Sequence, residues 1–552
     1  MRKTKILVTL GPSAEQEDVL KQLIDAGMNV ARLNFSHGDY EEHGIRVTRL
    51  KKVREEMGRP IAMMLDTKGP EIRAGNVENG SITLEAGRNI TLTTEEVLGT
   101  PERLTIRHPG LPRLVSPGSI ILLDDGLIQL DVIQTDGSTE ISCLIRNSGR
   151  IKDKRGVNVP RVHIDLPNPT PKDVEDIRFA AKNGFDFIAV SFTESADTVR
   201  AVKKVLQECG AEKIKVIAKI ENHSGLRNFD TILEIADGVM VARGDLGVEM
   251  AAEEVPIVQK EIIRKCYMAG KPVITATQML HSMTECPRPT RAEVSDVANA
   301  IYDFTSAVML SGETSVGKYP IACVEFMARV AERAEQAINY KKIFFAYANH
   351  QGTQADTTSA VTNAAITTAY NLGAKAIITV SESGHTAQML SRLRPEIPII
   401  AVVSDERVHR QLSINWGVMP VLGAHFRTLE ELHVESIKLA VETGLVREGD
   451  VIILVAGIPV GFSGATNMIK VETVGEHLGS HPTLPNKQHA NTHSETISES
   501  RLTMNTIPCE NIEPCDLYKP GMFPLTGLMI TPPPGTFRSP VAGEKFVSRE
   551  VI

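Results

Sequence analysis

Aromatic side chains are scarce, at 4 % of 552 residues with a single tryptophan, Trp416. Proteins that stack single-stranded nucleic acid need repeated aromatic platforms, so that class is disfavoured. Positive charge is not in excess either. Lys and Arg number 60 against 68 Asp and Glu, a formal charge of −8, whereas a nucleic-acid binder carries a basic footprint. No nucleic-acid partner is expected. Seven cysteines, mostly alone in apolar segments, exclude a small disulfide scaffold and fit a reducing compartment. Cys509 and Cys515 are the one close pair, and with no second pair nearby to complete a zinc site they read as free thiols. No apolar run reaches the ~18 residues of a membrane span. Behind the basic start Met1-Arg2-Lys3-Thr4-Lys5, the run Ile6–Leu10 is too short for a signal-peptide core. A cytoplasmic protein with no membrane partner is expected. A Walker A motif is also missing, which excludes a P-loop kinase.

What is present is an ordinary globular balance, 42 % apolar and 23 % charged. At roughly 100–200 residues per domain the chain has room for about three to five. The first 340 residues repeat one unit, a short apolar run ending in a polar residue and then an amphipathic stretch. The runs are Lys5–Thr9, Asn29–Asn34, Ile61–Asp66, Phe187–Ser191, Lys215–Lys219, Gly238–Ala242, Pro272–Thr277 and Ala307–Ser311. Such runs suit parallel strands buried on both faces, and eight of them imply an α/β fold of the (β/α)8 TIM-barrel type. Between Asp66 and Asp165 the pattern changes to alternating strands with Gly, Pro and Asn turns. Ser81–Leu84, Asn89–Thr93, Ser119–Leu123, Leu127–Gln134 and Glu140–Arg146 are expected strands of an all-β module inserted after the third barrel strand, placed as a lid over the mouth. Lys341–Asn349 reads as a connecting helix and linker. A second α/β pattern follows, with strands at Ala376–Val380, Ile399–Val403, Met419–Leu422, Val451–Val455 and Thr466–Thr473. The expected division is therefore 1–68 and 166–345 for the barrel, 69–165 for the lid and 346–476 for a C-terminal α/β domain. Residues 477–552, with Pro532-Pro533-Pro534, read as an irregular Pro/Ser/Thr-rich tail.

A barrel of this kind gathers strand-end polar groups at one mouth. They are Arg32, Asn34 and Ser36; Asp66 and Thr67; Lys219 and Glu221; Asp245; Thr277; and Ser311 with Glu313. Alternation puts Lys219 and Glu221 on one face of their strand. They make either a plain ion pair or, with Asp245 from the next strand end, a site for Mg2+ or Mn2+, which take few protein carboxylates and keep water and substrate oxygens. Lys219 beside such a cation would stabilise an enolate or a phosphoryl group in transfer. Gly244 and Gly247 allow a ligand close to the backbone. Asn34, Ser36, Asp66 and Thr67 form a second set of hard oxygen donors, serving either turn hydrogen bonds or a monovalent cation. Arg32 and Arg73 suit phosphate. Lys152, Lys154 and Arg155 at the returning hinge are either a solvated charge run or a phosphate clamp that closes with the lid.

Longer blocks carry a resemblance. Asn34-Phe35-Ser36-His37-Gly38, Asp66-Thr67-Lys68-Gly69-Pro70-Glu71-Ile72-Arg73, Ile217-Ala218-Lys219-Ile220-Glu221-Asn222, Ala242-Arg243-Gly244-Asp245-Leu246-Gly247, Ala276-Thr277-Gln278-Met279-Leu280, Pro289-Thr290-Arg291-Ala292-Glu293 and Met309-Leu310-Ser311-Gly312-Glu313-Thr314 resemble the pyruvate kinase family, in family order, over residues 1 to about 476. The resemblance implies phosphoryl transfer from phosphoenolpyruvate to ADP, giving pyruvate and ATP, with Mg2+ (or Mn2+) and K+ as cofactors and a homotetramer as the assembly. Carried over by position, Arg32 meets the substrate phosphate and Glu221 and Asp245 hold the divalent metal. Lys219 stabilises the transferring group and the enolate. Thr277 lies near the enolate methylene, and Gly244 and Asp245 border the substrate. Asn34, Ser36, Asp66 and Thr67 match the potassium site. Asn34, His37, Arg73 and Lys154 match nucleotide contacts. Glu71 stands where members that do not need K+ carry lysine, so K+ dependence is expected. The C-terminal domain resembles the family's effector domain. There the Ser381-Glu382-Ser383-Gly384-His385-Thr386 turn is shaped for an anion, with Ser381, Ser383, Gly384 and Thr386 as the expected contacts. Glu382 replaces a lysine found in members activated by fructose 1,6-bisphosphate, and His385 stands where Arg or Lys is frequent. Both turn the expectation towards a sugar monophosphate or AMP, or towards no activator.

Overall fold

Eight short runs of aliphatic and β-branched residues form the strands of one closed parallel barrel. They are β1 (Lys5–Thr9), β2 (Val30–Asn34), β3 (Ala62–Asp66), β4 (Phe187–Val190), β5 (Lys215–Ile220), β6 (Gly238–Ala242), β7 (Val273–Ala276) and β8 (Ala307–Leu310). Neighbours follow chain order, and β1 closes on β8 with Lys5 opposite Ala307. The chain is seen in a computed structural model that describes residues 1–162, 164–348, 356–460 and 466–475; the expected tail, with Cys509 and Cys515, lies outside them. Strand ends fall within a residue of the sequence reading, with physical reasons where they differ. Pro272 has no N–H to give the ladder, and Thr277 turns out of β7 with φ 67°. Inward residues Leu7, Met64, Phe187, Ile217, Met240 and Ile274 fill the barrel, and the outer faces pack against surrounding helices.

Between β3 and the helix Pro171–Lys182, residues 72–158 build a seven-stranded sheet and a two-stranded ribbon. This module has its own apolar core, including Leu84, Leu92, Ile121, Leu130 and Ile141. Its first strand, Ile72–Arg73, pairs with its last, Gly156–Asn158, so exit and return lie side by side above the C-terminal ends of the barrel strands. The short strands Ile72–Arg73, Arg103–Thr105, Gly149–Lys152 and Gly156–Asn158 escape a sequence reading because two to four residues show no alternation.

The helix Tyr340–Ala348 leads to a second sheet of β9 (Ala376–Val380), β10 (Ile399–Val403), β11 (Val418–Leu422), β12 (Val451–Gly457) and β13 (Thr466–Thr473). Its order is β11-β10-β9-β12-β13, parallel except for β13. This part docks on the barrel's N-terminal end, away from the mouth. Lys5 donates to the Val418 carbonyl at 2.7 Å, Arg410 meets Asp186 at 3.0 Å, and Arg394 reaches the Phe304 carbonyl at 2.9 Å. Among the described residues no helix is long and apolar enough to cross a membrane.

Candidate active site

Four charged groups from the ends of three barrel strands meet in one buried chain of contacts. Arg32, on β2, donates through Nε to Asp66 Oδ2 at 2.6 Å and through Nη1 to Thr9 Oγ1 at 2.9 Å. Asp66 closes β3, and its Oδ1 lies 3.0 Å from Lys219 Nζ. Lys219, on β5, also meets Glu221 Oε1 at 2.8 Å. Asp66 is wholly buried, and Arg32, Lys219 and Glu221 are each less than a tenth exposed. Such burial is tolerable only because the charges alternate in sign. Burial alone would lower the Lys219 pKa, but Asp66, Glu221 and Asp245 outweigh it and hold it above the ordinary lysine value. Burial alone would raise Asp66, but Arg32 and Lys219 outweigh it and hold it below the usual carboxylate range. Lys219 is thus a fixed positive charge, unsuited to accept a proton.

Glu221 follows the end of β5, and Asp245 follows the end of the neighbouring strand β6. Burial, then the Glu221 carboxylate, push Asp245 up to about 7. Two hard-oxygen groups this close, with one tending to hold a proton, are an arrangement a divalent cation relieves. Among the described residues no three His, Cys, Asp or Glu converge, so a cation here would rest on these two carboxylates, water and substrate oxygens, a set that fits Mg2+ or Mn2+. At the end of the adjacent strand β7, Thr277 Oγ1 accepts from the Gly244 N–H at 2.9 Å and donates to the Ala276 carbonyl at 2.7 Å.

The potassium-type residues sit on adjacent ends of β2 and β3, with Asn34 opposite Asp66. Asn34 Oδ1 accepts from the Ser36 N–H at 3.2 Å, and the buried Thr67 lies beside Ser191. Arg73 and Lys154 come together at the base of the lid, where Arg73 Nη1 donates to the Lys154 carbonyl at 2.9 Å. Arg73 also pairs with Glu71 Oε2 at 2.5 Å. His37 lies exposed on the turn after β2, and its carbonyl, not its ring, is engaged, by His43. A cavity of about 870 Å3 runs between lid and barrel, walled by Glu71, Asp125, Gly156, Asn222, Asp245 and Glu249. In the C-terminal part, Ser381 Oγ accepts from the Gly384 N–H at 3.0 Å, while the Thr386 hydroxyl is buried against Thr466 Oγ1 at 2.7 Å. Glu382 is held by Ser404 and His425.

One residue of the mouth escaped the strand-end reading. Ser191, just past β4, accepts from Lys219 Nζ at 2.6 Å and donates to the Thr67 carbonyl at 2.7 Å. It is the polar terminus of the fourth apolar run, so position alone would have flagged it. Ser311 with Glu313, by contrast, is structural, since Glu313 accepts from the backbone N–H groups of Ser311 and Leu280.

A parallel barrel with a buried lysine, paired carboxylates and an arginine at its C-terminal mouth, under an inserted β module, defines a class of barrel enzymes suited to anionic substrates. The comparisons narrow this. A family model described as "Pyruvate kinase, barrel domain" matches residues 1–324, and one described as "Pyruvate kinase, alpha/beta domain" matches residues 359–472. The pyruvate kinase of Bacillus licheniformis is 50 % identical over 477 residues, 86 % of this chain and 81 % of that one. That of Geobacillus stearothermophilus is 50 % identical over 478 residues, again 86 % and 81 %. A crystal structure of a pyruvate kinase from Cryptosporidium parvum superposes with a TM-score of 0.82 at 39 % identity, covering 86 % of this chain and 96 % of that one. The chain belongs to the pyruvate kinase family, a family of phosphotransferases.

Proposed function

We propose that this mouth transfers the phosphoryl group of phosphoenolpyruvate to ADP, giving pyruvate and ATP, with the residue roles that follow. The supporting observation is Lys219, buried and kept protonated between Asp66 and Glu221. Phosphoryl transfer asks a protein for positioning and charge neutralisation more than covalent help. The bond from phosphorus to the enol oxygen breaks while one to a terminal ADP oxygen forms, and the charge left on the enolate faces Lys219. Arg32 is aimed by Asp66 and Thr9 to receive the substrate phosphate. Gly244 and Asp245 border the substrate. The enolate carbon then gains a proton on the face near Thr277. Arg73 and Lys154 at the lid base, with Asn34 and His37 at the end of β2, contact the nucleotide. Glu221 and Asp245 would hold Mg2+ or Mn2+, which supplies charge neutralisation for the phosphoryl oxygens.

Asn34, Ser36, Asp66 and Thr67 would hold K+. Glu71 is paired with Arg73 and lies 3.7 Å from Lys68, so this position carries a carboxylate and supplies no ammonium of its own to stand in for that ion. Turnover is therefore expected to collapse in K+-free tetramethylammonium buffer and to recover with Glu71→Lys. Equal rates with and without K+ in the unaltered protein would refute the assignment. Ser381, Ser383, Gly384 and Thr386 are proposed to hold the phosphate of a sugar monophosphate or AMP, read as a shifted phosphoenolpyruvate saturation curve. A homotetramer is proposed as the assembly and is checked by the mass in solution. The reaction itself is tested by ADP-dependent pyruvate formation from phosphoenolpyruvate with Mg2+ and K+; pyruvate released at the same rate without ADP would contradict it.

A further inference from the structure

Thr277 and Gln278 both have left-handed backbones, φ 67° and 54°. Outside glycine this conformation costs roughly 1–2 kcal/mol per residue, and a β-branched threonine is a poor occupant. Something must hold the turn. The structure shows one side chain doing so. Arg243 opens the short helix after β6, immediately before Gly244 and Asp245, and its guanidinium is nine-tenths buried. Nη2 donates to the Thr277 carbonyl at 2.6 Å, Nε to the Ala276 carbonyl at 3.3 Å, and Nη1 to Asp296 Oδ1 at 2.7 Å. Gln259 Oε1 and Met279 Sδ complete its surroundings. Asp296 belongs to the helix Arg291–Tyr302, so one planar group ties the strand end bearing Gly244 and Asp245 to the turn bearing Thr277, anchored from outside.

We propose that Arg243, held by Asp296, is a positioning residue that sets Thr277 against the substrate's enolate carbon. This rests on the role given to Thr277 above. Arg243 touches no reacting atom. It grips the two consecutive carbonyls of Ala276 and Thr277, where the strained turn begins, and thereby fixes where the Thr277 hydroxyl sits relative to the Gly244 N–H. A lysine would keep the charge beside Asp296 but lacks the fork that reaches three acceptors at once. A misplacement on the order of 1 Å costs about 100-fold in a positioned reaction.

The experiment compares Arg243→Lys, Asp296→Asn, Thr277→Ala and the double variant Arg243→Lys/Thr277→Ala in the full chain. Each is read by kcat and KM for phosphoenolpyruvate, by Mn2+ affinity without substrate, and by exchange of the methyl protons of pyruvate in D2O. Arg243→Lys is expected to lower kcat and the exchange rate by about 10- to 100-fold, with KM and Mn2+ affinity nearly unchanged, and to add nothing in the Thr277→Ala background. Asp296→Asn, which leaves the arginine in place, should show a smaller loss of the same kind. Additive losses, or a change confined to KM and metal affinity, would overturn the proposal. If Thr277→Ala is impaired while Arg243→Lys and Asp296→Asn are not, the positioning claim alone falls. If Thr277→Ala leaves exchange intact, the role of Thr277 falls and this proposal with it.

Discussion

Lys219 sits where three carboxylates can see it and where water hardly can. That explains both its charge and why it cannot serve as a base at neutral pH. Asp66 is the centre of this balance, since it answers Arg32 on one oxygen and Lys219 on the other. Asp66→Asn removes the negative charge and leaves two buried cations facing each other. Breaking a buried ion pair costs about 3–5 kcal/mol, so a lowered unfolding midpoint and a large loss of kcat are expected together. A variant as stable as the parent in urea would show that the pair carries less than its burial suggests. At this scale much was legible beforehand. Arg32, Asp66, Lys219 and Glu221 are charged residues at the ends of apolar runs, and charge in such a place has few bland explanations. Ser191 ends the fourth apolar run as Thr277 and Ser311 end theirs, but its bond to Lys219 joins residues 28 apart and shows only in the fold. Arg243 was seen only as a letter in a motif. Its partners, at positions 276, 277 and 296, are joined to it by barrel closure, which a linear pattern does not show.

The elements themselves were read almost to the residue, because a strand buried on both faces leaves an unbroken apolar run. The lid was harder, since its hinge strands are too short for a period. Gly69 shows what such a hinge requires. It has φ +72°, and a Cβ there would lie 2.7 Å from Ser191 Cβ and 2.9 Å from the Phe192 ring. Both the backbone conformation and the contact favour glycine. Gly69→Ala is expected to destabilise the fold by about 1–3 kcal/mol and to push against Ser191, which orients Lys219. Thermal unfolding and kcat measured on the same preparation check this. Loss of stability with kcat preserved would mean that the hinge and the site are uncoupled.

At the scale of the whole molecule, the barrel has a chemical end and a docking end, and the docking end is also built from buried charge. Burial pushes the Lys5 ammonium down to about 7, while an exposed lysine titrates near 10.4. The unfolded chain therefore binds more proton at this position between those values, so the Lys5 contribution to stability rises as pH rises through that window. The slope is at most about 1.4 kcal/mol per pH unit. The difference in urea stability between the parent and Lys5→Met should grow in the parent's favour from pH 7 to 9.5; parallel curves would contradict it. At the other end, the account stands on Lys219 as the fixed charge that stabilises the transferring phosphoryl group and the enolate. The most direct test is ADP-dependent pyruvate formation by the parent and by Lys219→Met, at saturating phosphoenolpyruvate, ADP, Mg2+ and K+. Loss of a preorganised charge of this kind is worth about 100- to 1,000-fold in kcat, so a drop of at least that size, with Mn2+ still bound and the fold intact, is the predicted result. An unchanged rate in Lys219→Met would contradict it.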